Sequence, residues 1–141
     1  MKNSKSNKKL MRQKNIIRPI VAALAIAFFI SAVPADSVMT KNGATTVVNT
    51  TTLTTKVRGY KSATPVKIYI EKNRIVKVEA LRNQETPKYF AKAKAVLNSF
   101  TGKTVTKAEK MSVDAVSGAT LSSNALIKNV RTGLKYYKEH K

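Results

Sequence analysis

Two short runs of alternating apolar and polar residues sit near the middle of the chain, residues 65–70, containing VKIYI, and residues 74–80, RIVKVEA, separated by Glu71, Lys72 and Asn73. Alternation with a period of two marks a half-buried strand, and a short polar gap between two such runs predicts a β-hairpin. Val66, Ile68 and Ile70 are expected on one face, and Ile75 with Lys77 on the opposite side from Val76 and Val78, so that a helix can cover one face. Upstream, residues 45–55 are threonine-rich, with Val47, Val48 and Leu53, a β-branched bias that suits an extended segment or a flexible tether. Residues 36–46 are polar and lack apolar periodicity, so 36–51 reads as a linker or lead-in strand. Gly59, ahead of Tyr60, is either a bend that lets a ligand approach or a plain loop glycine.

Pro87 suits the first turn of a helix, and Phe90, Ala91, Ala93, Ala95, Val96 and Leu97 follow, with lysines at 88, 92 and 94 on a more polar side. This helix, running to residue 98, is expected to cover the sheet, and Phe100, Thr101 and Gly102 close it. Val105 and residues 111–116 are expected to add a further strand. Near the C-terminus Ile127, Val130, Leu134 and Tyr137 fall three, four and three apart, on one face of a helix over residues 122–137. Gly133 inside that helix costs about 1 kcal/mol relative to alanine, which close packing on the sheet would account for. The sum is an α+β fold, a small mostly antiparallel sheet packed against two or three helices.

The first 35 residues change the picture of what reaches its destination. Seven lysines and arginines precede an apolar stretch at residues 20–30, and Val33, Pro34 and Ala35 offer small residues before Asp36. This has the plan of a signal peptide; an uncleaved anchor at residues 19–33 is the alternative, with its basic flank held inside. Either way the remainder is exported, to a periplasmic or extracytoplasmic location. After cleavage about 106 residues remain, enough for one small domain. The chain has no cysteine, which excludes a lipid anchor on cysteine, disulfides and thiol redox chemistry. One histidine, His140, and seven acidic residues leave little material for a metal site or a catalytic triad, so any chemistry falls to a bound cofactor.

Net charge is +20, and without the leader 20 Lys and Arg stand against seven acids, about +13. The basic residues are spread singly, with no nucleic-acid-binding signature, and export argues against an intracellular polyanion. A solvated basic surface, an anionic membrane surface or an acidic electron-transfer partner suits the charge better.

The densest chemistry lies in DAVSGAT, residues 114–120, followed by LSS. Thr120 is a hydroxyl nucleophile at the start of the last helix. Gly118 and Ala119 carry almost no side chain, and the unpaired N–H groups of a helix N-terminus favour a phosphate. Without more, the run is also a good cap and turn. The pattern Asp114, Ser117, Gly118, Ala119, Thr120, with Ser122 and Ser123 after it, resembles the FMN-binding domain family, found in flavin subunits of sodium-pumping NADH:quinone reductases and Rnf-type complexes. A second run, QETPKYF at residues 84–90, resembles the glutamate-threonine-proline segment that lies near the flavin in that family. There, glycines follow the proline; here Lys88, Tyr89 and Phe90 do, and the two aromatic residues could instead pack in the core.

The resemblance, covering residues 52–141, implies FMN joined through a phosphoester to Thr120 by a flavin transferase that uses FAD and magnesium. It implies cofactor contacts from Ser117, Gly118, Ala119, Ser122, Ser123, Glu85 and Thr86, and for Asp114 recognition by the transferase or a turn. The expected function is an electron carrier rather than a stand-alone enzyme, with no catalytic or metal-binding residues of its own. A membrane dehydrogenase or quinol-oxidising complex would supply electrons, and a terminal acceptor or reductase would receive them. Two alternatives remain: a noncovalent FMN-binding or assembly module without redox turnover, and a reductase with its own substrate.

Overall fold

A computed structural model describes residues 37–141; the expected signal peptide or anchor, with its cleavage site, lies outside the described residues. Four strands, β1 (Met39–Asn42), β2 (Thr45–Asn49), β3 (Val66–Glu71) and β4 (Arg74–Ala80), form one sheet in the order β1-β2-β3-β4, every neighbour antiparallel. The expected α+β architecture is therefore present. Helix α1 (Pro87–Ala93) continues as a 3-10 turn (Lys94–Ser99), followed by α2 (Val105–Lys110) and the long α3 (Thr120–His140). Among the described residues no helix is long and apolar enough to cross a membrane.

The predicted hairpin forms, and its two-residue loop explains itself: Lys72 and Asn73 both have positive φ, 48° and 59°, the backbone that tight hairpins with right-handed twist require. Val66, Ile68 and Ile70 all face the core. In β4 the expected alternation is corrected. A register shift between Tyr69 and Ile70 pairs Ile70 with Ile75 but Tyr69 with Lys77, so Ile75 is buried, Val76 is exposed and Val78 turns back to pack on the core. A bulge of one residue switches the face of everything after it.

The further strand expected at Val105 and residues 111–116 does not form. Thr104 caps a helix instead, its hydroxyl accepting from Lys107 N at 3.3 Å, and Val105 and Ala108, three apart, turn inward. Ahead of it the backbone of residues 102–105 borders the start of β4: Gly102 N donates to Ile75 O at 2.8 Å and Ile75 N to Lys103 O at 2.9 Å. Residues 111–116 run without helix or strand, with Met111, Val113 and Val116 packed on the core.

Helix α3 lies across the inner face of the sheet, burying Leu126, Val130 and Leu134 with Val48, Val66 and Ile68. A polar seam accompanies this apolar layer. Asn129 Oδ1 accepts from the hydroxyls of Thr50 (3.0 Å) and Thr54, and its Nδ2 donates to Ala125 O at 2.9 Å, so the buried amide ties α3 to the chain leaving β2.

Gly133 is where helix and sheet come nearest. A Cβ there would sit 2.6 Å from Ile68 Cδ1 and 2.9 Å from Thr50 Cγ2. Overpacking of that kind costs roughly 1–3 kcal/mol, more than the ~1 kcal/mol that alanine gains over glycine in a helix. Gly133→Ala is therefore expected to lower stability by about 1 kcal/mol, read as an earlier urea unfolding midpoint, whereas a later midpoint would contradict the close contact.

Candidate functional site

The start of α3 is built by a tight turn. Ala119 N donates to Val116 O at 3.0 Å, and the turn passes through Gly118 at φ +81°, a region that glycine enters freely and other residues enter with strain. A Cβ at Gly118 would meet nothing within 4 Å, so the backbone angle and not crowding calls for glycine here. Ser123 locks the turn from behind: its buried hydroxyl accepts from Val116 N at 3.1 Å, and its own N–H donates to Ala119 O at 2.9 Å. The cap position is Ala119, which supplies no side-chain hydrogen bond. The N–H groups that open the helix are therefore left for solvent or a ligand, at the end where the dipole favours negative charge.

The second element is Glu85, which is buried in the loop before α1. Oε1 accepts from Lys61 N (2.8 Å), Ser62 N (2.6 Å) and, at 3.4 Å, the Ser62 hydroxyl; Oε2 accepts from Tyr60 N (3.1 Å) and the Ser122 hydroxyl (2.6 Å). One carboxylate thus joins three stretches of chain: the loop at 59–62, its own loop and the first turn of α3. Burial pushes the Glu85 pKa up, but the hydrogen bonds from Ser122 and from the backbone of Ser62, Lys61 and Tyr60 outweigh it and hold the carboxyl below its ordinary value. Gly59 sits close to the same contact: a Cβ on it would lie 3.0 Å from the Glu85 carboxylate, which would have to give way.

Between these elements opens a cleft of about 450 Å³, within the roughly 300–1,000 Å³ range of small-molecule sites. Of the residues singled out from sequence, Glu85, Thr86, Gly118, Ala119, Thr120 and Ser122 line it. Thr120 is exposed at its edge, as the first residue of α3. Asp114 and Ser117 are exposed and are not on the cleft wall, and Ser123 is buried behind the turn. Sequence reasoning did not single out Tyr60 and Leu121, and it left Tyr89 as a core candidate. All three line the cleft and are exposed, whereas Phe90, the other aromatic residue of that run, packs partly on the core.

A family model for the FMN-binding domain matches residues 59–135. The chain belongs to the FMN-binding domain family. The matched span runs from Gly59, at the Glu85 loop, to the C-terminal part of α3, and so contains every element of the cleft wall. A search of curated proteins finds no match. The site fits the cofactor that this membership brings. FMN needs an anion-tolerant end and a flat apolar berth, and the cleft of this FMN-binding domain sets the uncapped start of α3 beside exposed tyrosine and leucine side chains.

Proposed function

We propose that this FMN-binding protein is exported, receives FMN as a phosphoester on Thr120 and works as an electron carrier outside the cytoplasm. The observation that carries the reading is the placing of Thr120: a hydroxyl exposed at the first position of α3, on the cleft wall, after a turn that leaves the helix without a side-chain cap. In the attachment step the Thr120 oxygen attacks the FMN-side phosphorus of FAD. The new O–P bond replaces the bond within the pyrophosphate, AMP leaves, and the hydroxyl proton passes to the transferase. A flavin transferase with magnesium is the catalyst, and the carrier supplies the acceptor.

When bound, FMN supplies exchange of one or two electrons. The chain's own residues hold it. Among the described residues Glu85 is the one carboxyl on the cleft wall, and its oxygens are taken up by five hydrogen bonds, so it acts as a clasp and not as an acid or base. That supports a carrier over a reductase with its own substrate. A membrane dehydrogenase or quinol-oxidising complex is the proposed donor, a terminal acceptor or reductase the proposed recipient, and the basic balance suits an acidic partner or an anionic membrane surface.

Protein from a host that has the transferase should keep its flavin colour in the pellet after acid precipitation in denaturant. Colour found wholly in the supernatant would replace the covalent carrier by a noncovalent FMN-binding module.

A further inference from the structure

We infer that Tyr60 and Tyr89, with Leu121 at the side, form the clamp that grips the flat ring system of the flavin. The inference rests on the reading that a flavin occupies the cleft, and it adds which side chains of this chain hold the ring. Among the described residues four large apolar side chains are exposed: Tyr60 (70%), Leu121 (58%), Tyr89 (48%) and Val76 (45%). Val76 is accounted for by the β4 bulge. The other three come from three separate stretches, the loop at 59–62, α1 and the first turn of α3, and all line one cleft. Single exposed apolar residues scattered on a surface need no explanation, but convergence in one concavity marks a site for an apolar ligand.

Tyr60 is also held in place by its backbone. Its N–H donates to Glu85 Oε2, the next two N–H groups donate to Oε1, and Gly59 N closes the loop on Ser62 O at 2.8 Å. A loop anchored this firmly could have turned an aromatic ring inward; instead it presents the ring to the cleft. Tyr89 is fixed in the first turn of α1, where its N–H donates to Thr86 O at 3.1 Å. Tyrosine faces stack on flat conjugated rings with a preference for offset geometry and lose little rotamer freedom in doing so. Because Leu121 follows Thr120 directly, a phosphate on Thr120 and a ring against Leu121 belong to the same edge of the cleft. Glu85 is then a positioning residue: it sets the Tyr60 loop against the first turn of α3.

The test uses riboflavin, which has the ring but no phosphate and cannot be attached. Full-length protein from a host without flavin transferase is titrated with riboflavin, following flavin fluorescence, which stacking on tyrosine quenches. The wild-type protein should quench it on binding. Tyr60→Leu and Tyr89→Leu should each weaken binding by about fivefold or more and leave the bound ring brighter. Tyr69→Leu, on the outer face of the sheet where the hydroxyl meets Glu79, should match wild type. Circular-dichroism melts confirm that each variant is folded. Superimposable titrations for wild type, Tyr60→Leu and Tyr89→Leu, or no quenching by wild type, would overturn the clamp. Failure of covalent attachment shows in the mass of transferase-treated protein and leaves these titrations unchanged, so the two failures are distinguishable.

Discussion

Glu85→Gln is expected to cost about 2 kcal/mol of stability at pH 7, because an amide returns one acceptor and one donor where the site offers only donors. Tyr60 N, Lys61 N, Ser62 N and the Ser122 hydroxyl all point at the carboxylate, and the Gln NH₂ would be set against N–H groups. The effect has a pH signature. The folded carboxyl binds its proton less tightly than the unfolded one, so protonation favours the unfolded chain. The contribution of Glu85 is therefore complete above its ordinary pKa of 4.5 and is lost as pH falls through the lower folded value. Urea unfolding at pH 7 should separate wild type from Glu85→Gln, and the gap should narrow below pH 4.5. A gap that stays constant into acid would mean that the carboxylate charge is not what clasps the loop.

Thr120→Val is expected to abolish covalent flavin while leaving the fold intact. Valine matches threonine in shape and lacks only the oxygen, and Thr120 is exposed with its hydroxyl outside the hydrogen-bond network that builds the turn. That network runs through Ser123, Val116 and Ala119, all unchanged by the substitution. Denaturing gels scanned for flavin fluorescence should show a band for wild type and none for Thr120→Val when both are expressed with the transferase, with matching melting temperatures. A fluorescent Thr120→Val band would move the attachment to another hydroxyl.

What could be read from the sequence was local. Val66, Ile68 and Ile70 alternate within one strand, Ile127 to Tyr137 repeat within one helix, and the run from Gly118 to Thr120 makes its own turn, so each declares itself within a few residues. The errors arose where one local signal met another or a distant partner. The bulge at Val76 reversed a face that simple alternation assigned, and the Thr104 cap turned a β-branched Val105 into the start of a helix. Tyr60 was hidden for a different reason. Its place depends on Glu85, some 25 residues away, and nothing in the short stretch around Gly59 announces that pairing. In the same network the Ser122 hydroxyl donates to Glu85, and the Ser123 hydroxyl serves the turn.

The proposed carrier role of this FMN-binding domain depends on FMN being attached at Thr120. The most direct measurement is the intact mass, under denaturing conditions, of wild-type protein exported from a host that has the flavin transferase, with peptide mapping of the modified fragment. The mass should rise by FMN less one water, located on the peptide containing Thr120; an unmodified mass, or the same increase on another peptide, would rule out attachment at Thr120.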